Sequence, residues 1–196
     1  MQDRQQFLAA IARIDAENAS DPRAAPVDGE EVPFELAYAR RLTAWVSRLA
    51  PDAAEPLLLA ARGQHIARWR IPRDQYPEGL NGYLQWREDL KEFHAKTLRG
   101  ILSDCGYDDT VIDRVAALVT KSQFPEDPDS RVLEDALCLV FIESQLADFA
   151  ATKPREKTID IIRKTWEKMT PKARAVAAGL DVPAPVRALI ADAGVH

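Results

Sequence analysis

A chain of 196 residues, 46% of them hydrophobic, is long enough to bury one sizeable globular core. Its net charge of -5 excludes broad electrostatic binding to nucleic acid, and no apolar run approaches the ~20 residues of a membrane span. The start, Met-Gln-Asp-Arg-Gln-Gln, lacks the basic and apolar regions of a signal peptide, and two cysteines, Cys105 and Cys138, make no disulfide framework, so the expected location is the cytoplasm.

Phe7, Leu8, Ile11 and Ile14 recur at helical spacing and predict a helix over residues 2–16. The polar stretch from Asp15 to Val32 reads as a long loop. Pro33 suits a first helical turn, and Leu36, Leu42, Val46 and Leu49 carry a second helix to about residue 49. A third helix is predicted over 53–69, stopped by Pro72, which lacks a backbone donor and restricts its predecessor. After a loop over 71–81 comes the longest helix, 82–104, closed by Gly106. Asp108 or Asp109 caps a helix over 109–121. The segment 130–150 is apolar nearly all round and is expected to be central. Helices follow at 155–168, from Thr170-Pro171 to Ala178, and after Pro183. No stretch shows convincing strand alternation. The expected fold is all-α: a single helical bundle of about seven to eight helices over 1–196, with its core at about 5–180 and a short C-terminal helix after 183.

The chemistry concentrates around one of only three histidines. His65 continues the core stripe of the third helix, four residues after Ala61. His94 has Leu90 and Leu98 one turn to either side, and Asp135 sits between Val132 and Leu139 on the most apolar helix. A buried carboxylate needs a cation or a hydrogen-bond donor. Two imidazoles and a carboxylate from three helices suit a divalent transition metal such as Mn, Fe, Ni, Co or Zn. The plainer alternative is that both histidines are satisfied core residues and Asp135 caps a neighbouring backbone.

Residues 60–73 hold Arg62, Arg68, Arg70 and Arg73 and no acid or lysine. With Trp69, Tyr83, Trp86 and Arg87 they form a candidate anion site, because guanidinium groups grip phosphate or carboxylate in a bidentate manner and aromatic faces stack on a base. The alternative is a set of salt bridges to Asp74, Glu78, Glu88 and Asp89. No glycine-rich phosphate loop, Cys-x-x-Cys or Gly-x-Ser-x-Gly elbow occurs.

The string Arg62-Gly63-Gln64-His65-Ile66, then Arg68-Trp69, Ile71-Pro72-Arg73, Tyr76-Pro77, Gly82-Tyr83-Leu84, Trp86-Arg87, Phe93-His94-Ala95 and Leu133-Glu134-Asp135, resembles the domain-of-unknown-function family numbered 4202. Asp15, Asn18, Asp21, Pro22, Glu35, Leu36 and Tyr38 are similar to it as well. More distantly, the order of elements resembles the all-helical HD-domain metal-dependent phosphohydrolases. In that likeness Gln64 and His65 stand at the His-Asp doublet, His94 at the histidine of the next long helix, and Asp135 at a metal-ligand position. The histidine expected early in the second helix is absent, and Glu35 is the nearest substitute. What the resemblance implies is an HD-like phosphohydrolase acting on a small phosphate ester or nucleotide. His65, His94, Asp135 and Glu35 would be metal ligands, Glu134 and Gln64 the catalytic residues, and Arg62, Arg68, Trp69, Arg70, Arg73, Tyr83, Trp86 and Arg87 the substrate contacts. The alternative is a catalytically degenerate HD-like domain that binds an anionic ligand or a protein partner.

Overall fold

The computed structural model of the chain describes residues 2–27 and 29–195. It is all-α apart from one short hairpin, with ten α-helices among the described residues where seven to eight are expected. Where one domain is expected, the chain groups into two compact units, one ending at Phe124 and the other beginning at Pro125. No described helix is long and apolar enough to cross a membrane.

The first unit contains α1 (Gln2–Asn18), a hairpin of β1 (Ala24–Val27) and β2 (Glu30–Pro33), α2 (Phe34–Leu49), α3 (Glu55–Gly63), α4 (Leu80–Asp104) and α5 (Asp109–Thr120). Helix α3 packs between α2 and α5, α4 lies along α5, and α1 crosses α2, α3 and α4. Their shared core holds Ile14, Leu42, Val46, Leu57, Leu59, Leu98, Leu102 and Leu118, all essentially without solvent contact. Burial of each such side chain contributes roughly 1.5–3 kcal/mol. Asp108 caps α5 by accepting from the Val111 amide at 3.0 Å.

Two local expectations for this unit need correction. The stretch 15–32 is not one loop. Helix α1 runs on to Asn18, and the antiparallel strands then pair Ala24 with Pro33 and Val27 with Glu30. Strands of four residues containing proline carry no readable alternation. The third helix is also shorter than 53–69: α3 stops at Gly63, and turns and two 3-10 segments, Arg68–Arg70 and Arg73–Gln75, fill the way to α4. Pro72 is therefore not the stop. Ala67 adopts a left-handed conformation at φ 52°, which costs a non-glycine residue about 1–2 kcal/mol. Its amide donates to the Asn18 side chain at 3.4 Å, and the same side chain donates to the Arg62 carbonyl at 3.4 Å. Gly63 meets α4 so closely that an added Cβ would lie 2.4 Å from a Leu98 methyl. Partners distant in sequence thus turn the chain out of the helix.

The second unit contains α6 (Pro128–Ser144), α7 (Leu146–Thr152), α8 (Arg155–Lys168), α9 (Pro171–Ala178) and α10 (Ala184–Asp192). Helix α6 packs on α7, α8 and α9 and buries Leu133, Ala136, Leu139 and Val140, which makes it the centre of this unit. Its predicted extent to residue 150 is too long, because Gln145 leaves helical geometry at φ -123° and a separate helix begins. Asp127 caps α6 through the Ser130 amide at 2.7 Å, and Thr170 caps α9 through the Ala173 amide at 3.3 Å.

Candidate functional site

Helix α2 begins under an awkward cap. Pro33 has no side-chain acceptor for the first helical amides. Asp21, before the hairpin, supplies it by accepting from the Glu35 amide at 3.1 Å. Arg23 is locked onto Asp21 through Nε at 3.0 Å and Nη2 at 2.8 Å, and Nη2 also donates to Glu35 Oε1 at 2.9 Å. This network fixes Glu35, which is only 1% exposed. Its other oxygen, Oε2, has no hydrogen-bond partner among the described residues. Burial pushes the carboxyl up to about 7, against the opposing pull of the Arg68 and Arg23 guanidinium groups.

Next to Oε2 is His65, carried by the turn after α3. Its Nδ1 is 3.7 Å from Glu35 Oε2, and its ring stacks on Tyr38 with centroids 4.3 Å apart. Arg68 Nη1 lies 3.0 Å from His65 Nε2. A guanidinium only donates, so Nε2 is the acceptor and Nδ1 carries the proton facing Glu35. Burial first, then the cations Arg68 and Lys121 nearby, holds the His65 pKa well below its usual value, so the ring is neutral and no charge pair forms with Glu35.

His94, on α4, lies 6.1 Å from the His65 ring, centroid to centroid. Its Nδ1 is 2.7 Å from the Ile66 carbonyl, which can only accept, so Nδ1 bears the proton and Nε2 presents a bare lone pair. That Nε2 is buried and unpartnered. Burial lowers the ring to about 4. On the outer side, Arg68 lies 4.9 Å over the Trp86 ring, Trp86 is 6.0 Å from Tyr83, and Arg87 is 5.8 Å over Tyr83. Trp86 is held by its Nε1 donating to the Ile71 carbonyl at 2.9 Å. Arg68 makes no ion pair among the described residues.

Glu35, His65, His94, Arg68, Trp86, Tyr83 and Arg87 are therefore brought together. The other candidates have separate tasks. Arg62 is clamped to Asp15 at 2.6 and 2.8 Å, Arg70 pairs with Glu17 at 2.9 Å, and Arg73 donates to the Tyr76 and Pro77 carbonyls, both at 2.9 Å. Their acids sit on α1, and carbonyls replace the expected Asp74 and Glu78. Trp69 is half-buried on the 3-10 turn. Gln64 donates to the Val119 carbonyl at 3.3 Å and leaves its own carbonyl oxygen unpartnered. In the second unit, Asp135 Oδ1 accepts from the Thr170 amide at 2.8 Å and Oδ2 from the Thr170 hydroxyl at 2.5 Å. It serves as the backbone cap of the plainer alternative. Glu134 is buried, with Lys168 Nζ at 3.7 Å.

This arrangement does not fit the expected metal. Among the described residues no group of three or more His, Cys, Asp or Glu side chains is placed to hold one. His65 Nε2 is taken by the Arg68 cation and its Nδ1 carries the ring proton, which leaves two donors, Glu35 Oε2 and His94 Nε2, where a protein zinc site uses three or four. Asp21, Arg23 and Tyr38 have the largest share in building the site that residue-type reasoning missed. The available signal was a lone acid, Glu35, heading the apolar run Leu36 to Ala39. No curated protein and no solved structure matches the chain. A family model described as "Domain of unknown function (DUF4202)" matches residues 8–190, nearly the whole chain, and the protein belongs to that family.

Proposed function

We propose that the protein binds a small anionic ligand at Arg68 without a metal, as an HD-like helical domain whose hydrolytic centre has degenerated. The observation that carries this reading is a guanidinium without an ion pair, set between the buried Glu35–His65–His94 cluster and the Trp86 face. The neighbouring arginines Arg62 and Arg70 are neutralised by Asp15 and Glu17, whereas Arg68, with Arg87 over Tyr83, makes no ion pair among the described residues and is available to take a phosphate or carboxylate. Trp86 and Tyr83 offer faces to the remainder of the ligand. Glu35, with its pKa near neutrality, is suited to exchange a proton with what binds there. The metal-dependent hydrolase reading would require Arg68 to leave His65 first, and stoichiometric metal in purified protein would revive it.

The test is a thermal melt against inorganic phosphate and acetate. Binding to the folded state raises the melting temperature by linkage, so a rise that grows with the logarithm of anion concentration is expected in the wild type and absent in Arg68→Met. A wild-type melt that stays flat into the tens of millimolar, on the order of ten-thousandfold above a micromolar Kd, would contradict the reading.

A further inference from the structure

The unpartnered atoms around His65 are of one kind. In its ionised form Glu35 presents Oε2 as an acceptor, and the donor facing it among the described residues, His65 Nδ1, is 3.7 Å away and beyond hydrogen-bond reach. His94 Nε2 is a lone pair, because the proton of that ring is committed to the Ile66 carbonyl. Both side chains are more than nine-tenths buried. Against these two acceptors the cluster sets one strong donor, Arg68, placed on the same His65 ring. A buried acceptor left empty is unfavourable, and the fold retains two of them where one network already supplies Asp21, Arg23 and the α2 amide with partners.

A simple anion does not complete such a site. Acetate would pair with Arg68 but would turn only acceptor oxygens toward Glu35 Oε2 and the His94 lone pair, and inorganic phosphate, which keeps a single hydroxyl hydrogen as HPO4²⁻, could satisfy one of the two. The missing component is hydrogen on oxygen or nitrogen. We infer that the natural ligand is an anion that also carries at least two hydroxyl or amino donors, such as a polyol phosphate, read by Glu35 Oε2 and His94 Nε2 while Arg68 holds the charge. This rests on the Arg68 reading and adds the class of molecule. Glu35 and His94 are then the residues that determine specificity, because a site built to receive hydroxyl hydrogens discriminates strongly against the analogue lacking them.

Titration calorimetry at pH 8.5, where Glu35 is ionised, separates the two levels. The probes are glycerol 3-phosphate, propyl phosphate, which has the same carbon chain without the hydroxyls, and inorganic phosphate. Glycerol 3-phosphate should bind wild-type protein roughly tenfold or more tighter than propyl phosphate, the equivalent of about 1.4 kcal/mol. Glu35→Gln, whose amide can turn a donor toward the ligand, should compress that ratio to about threefold or less. If the variant fails to fold, the wild-type ratio still decides. Equal affinity for the two esters overturns this inference and leaves the Arg68 reading standing, the result also expected if buried water satisfies the acceptors. Failure of all three probes to bind overturns both.

Discussion

Asp135 and Glu35 look alike in sequence, each an acid on an otherwise apolar helix face, and the structure gives them opposite roles. Asp135 has both oxygens filled by the amide and hydroxyl of Thr170, where α9 begins. Glu35 has one oxygen filled by Arg23 and the other left bare beside two neutral imidazoles. A buried carboxylate is therefore not in itself the mark of a site. Asp135 is a structural cap whose bonding capacity is spent, while Glu35 retains a lone pair that its own fold does not satisfy. The same division separates the arginines: Arg62 ties α3 to α1, and Arg68 stands among aromatic and imidazole rings without an ion-pair partner among the described residues.

If Asp135 is a cap, removing it should give the largest stability loss and no loss of binding. Asp135→Ala strips the partner from both the Thr170 amide and its hydroxyl, and should cost roughly 2–4 kcal/mol in chemical denaturation. Anion-dependent stabilisation of the folded fraction should persist. A cost below about 0.5 kcal/mol, the level of an ordinary surface change, would erase the contrast with Glu35.

The arginine pair sharpens it further. Arg62→Met leaves the part-buried Asp15 without its bidentate partner and should cost about 1–3 kcal/mol with ligand affinity intact. Arg68→Met should show the reverse, a stability change within about 1 kcal/mol and loss of anion binding. Equal losses of binding in the two variants would show that the segment acts only as a unit.

The pH dependence of stability reports on Glu35 directly. Between pH 4.5 and about 7 the folded chain keeps a Glu35 proton that the unfolded chain has released, so this group makes stability fall as pH rises. His94 acts oppositely: between about 4 and 6.5 the unfolded chain holds a proton that the folded chain does not, so stability rises with pH, and His65 adds to it with the same sign. Glu35 and His94 largely offset each other in the wild type. Glu35→Gln removes one side, and its stability should climb more steeply over pH 4.5–7, by up to about 1.4 kcal/mol per pH unit. Parallel profiles for variant and wild type would place Glu35 in an ordinary solvated environment.

The smallest expected effect is at His65. Its edge reaches solvent, with 22% of the side chain exposed, and Gln preserves both a donor and an acceptor. His65→Gln should change stability by about 1 kcal/mol or less, against roughly 2–5 for Leu57→Ala in the core, while weakening anion binding because Arg68 loses the ring that positions it.

Much of the helical fold was legible because local signals decide it. Asp108 and Thr170 announce the helices they cap, and Gly106 ends α4 at φ 81°. What was hidden depends on partners far along the chain. The periodicity of residues 57–69 continues smoothly, yet the helix breaks where Asn18 draws in Ala67, 49 residues away. The site was half legible for the same reason. His65, His94, Arg68 and the aromatic residues stood out by type. Nothing local distinguished Glu35 from Asp135, since Thr170 lies 35 residues from one and Asp21 and Arg23 lie across the hairpin from the other.

The most direct test of a metal-free Arg68 site is a calorimetric titration of glycerol 3-phosphate into protein stripped and held in excess chelator, run on wild type and Arg68→Met. Saturable heat in the wild type and none in the folded variant is the expected result. Heat that appears only when a divalent metal is restored would contradict it, and would return His65, His94 and Glu35 to the role of ligands.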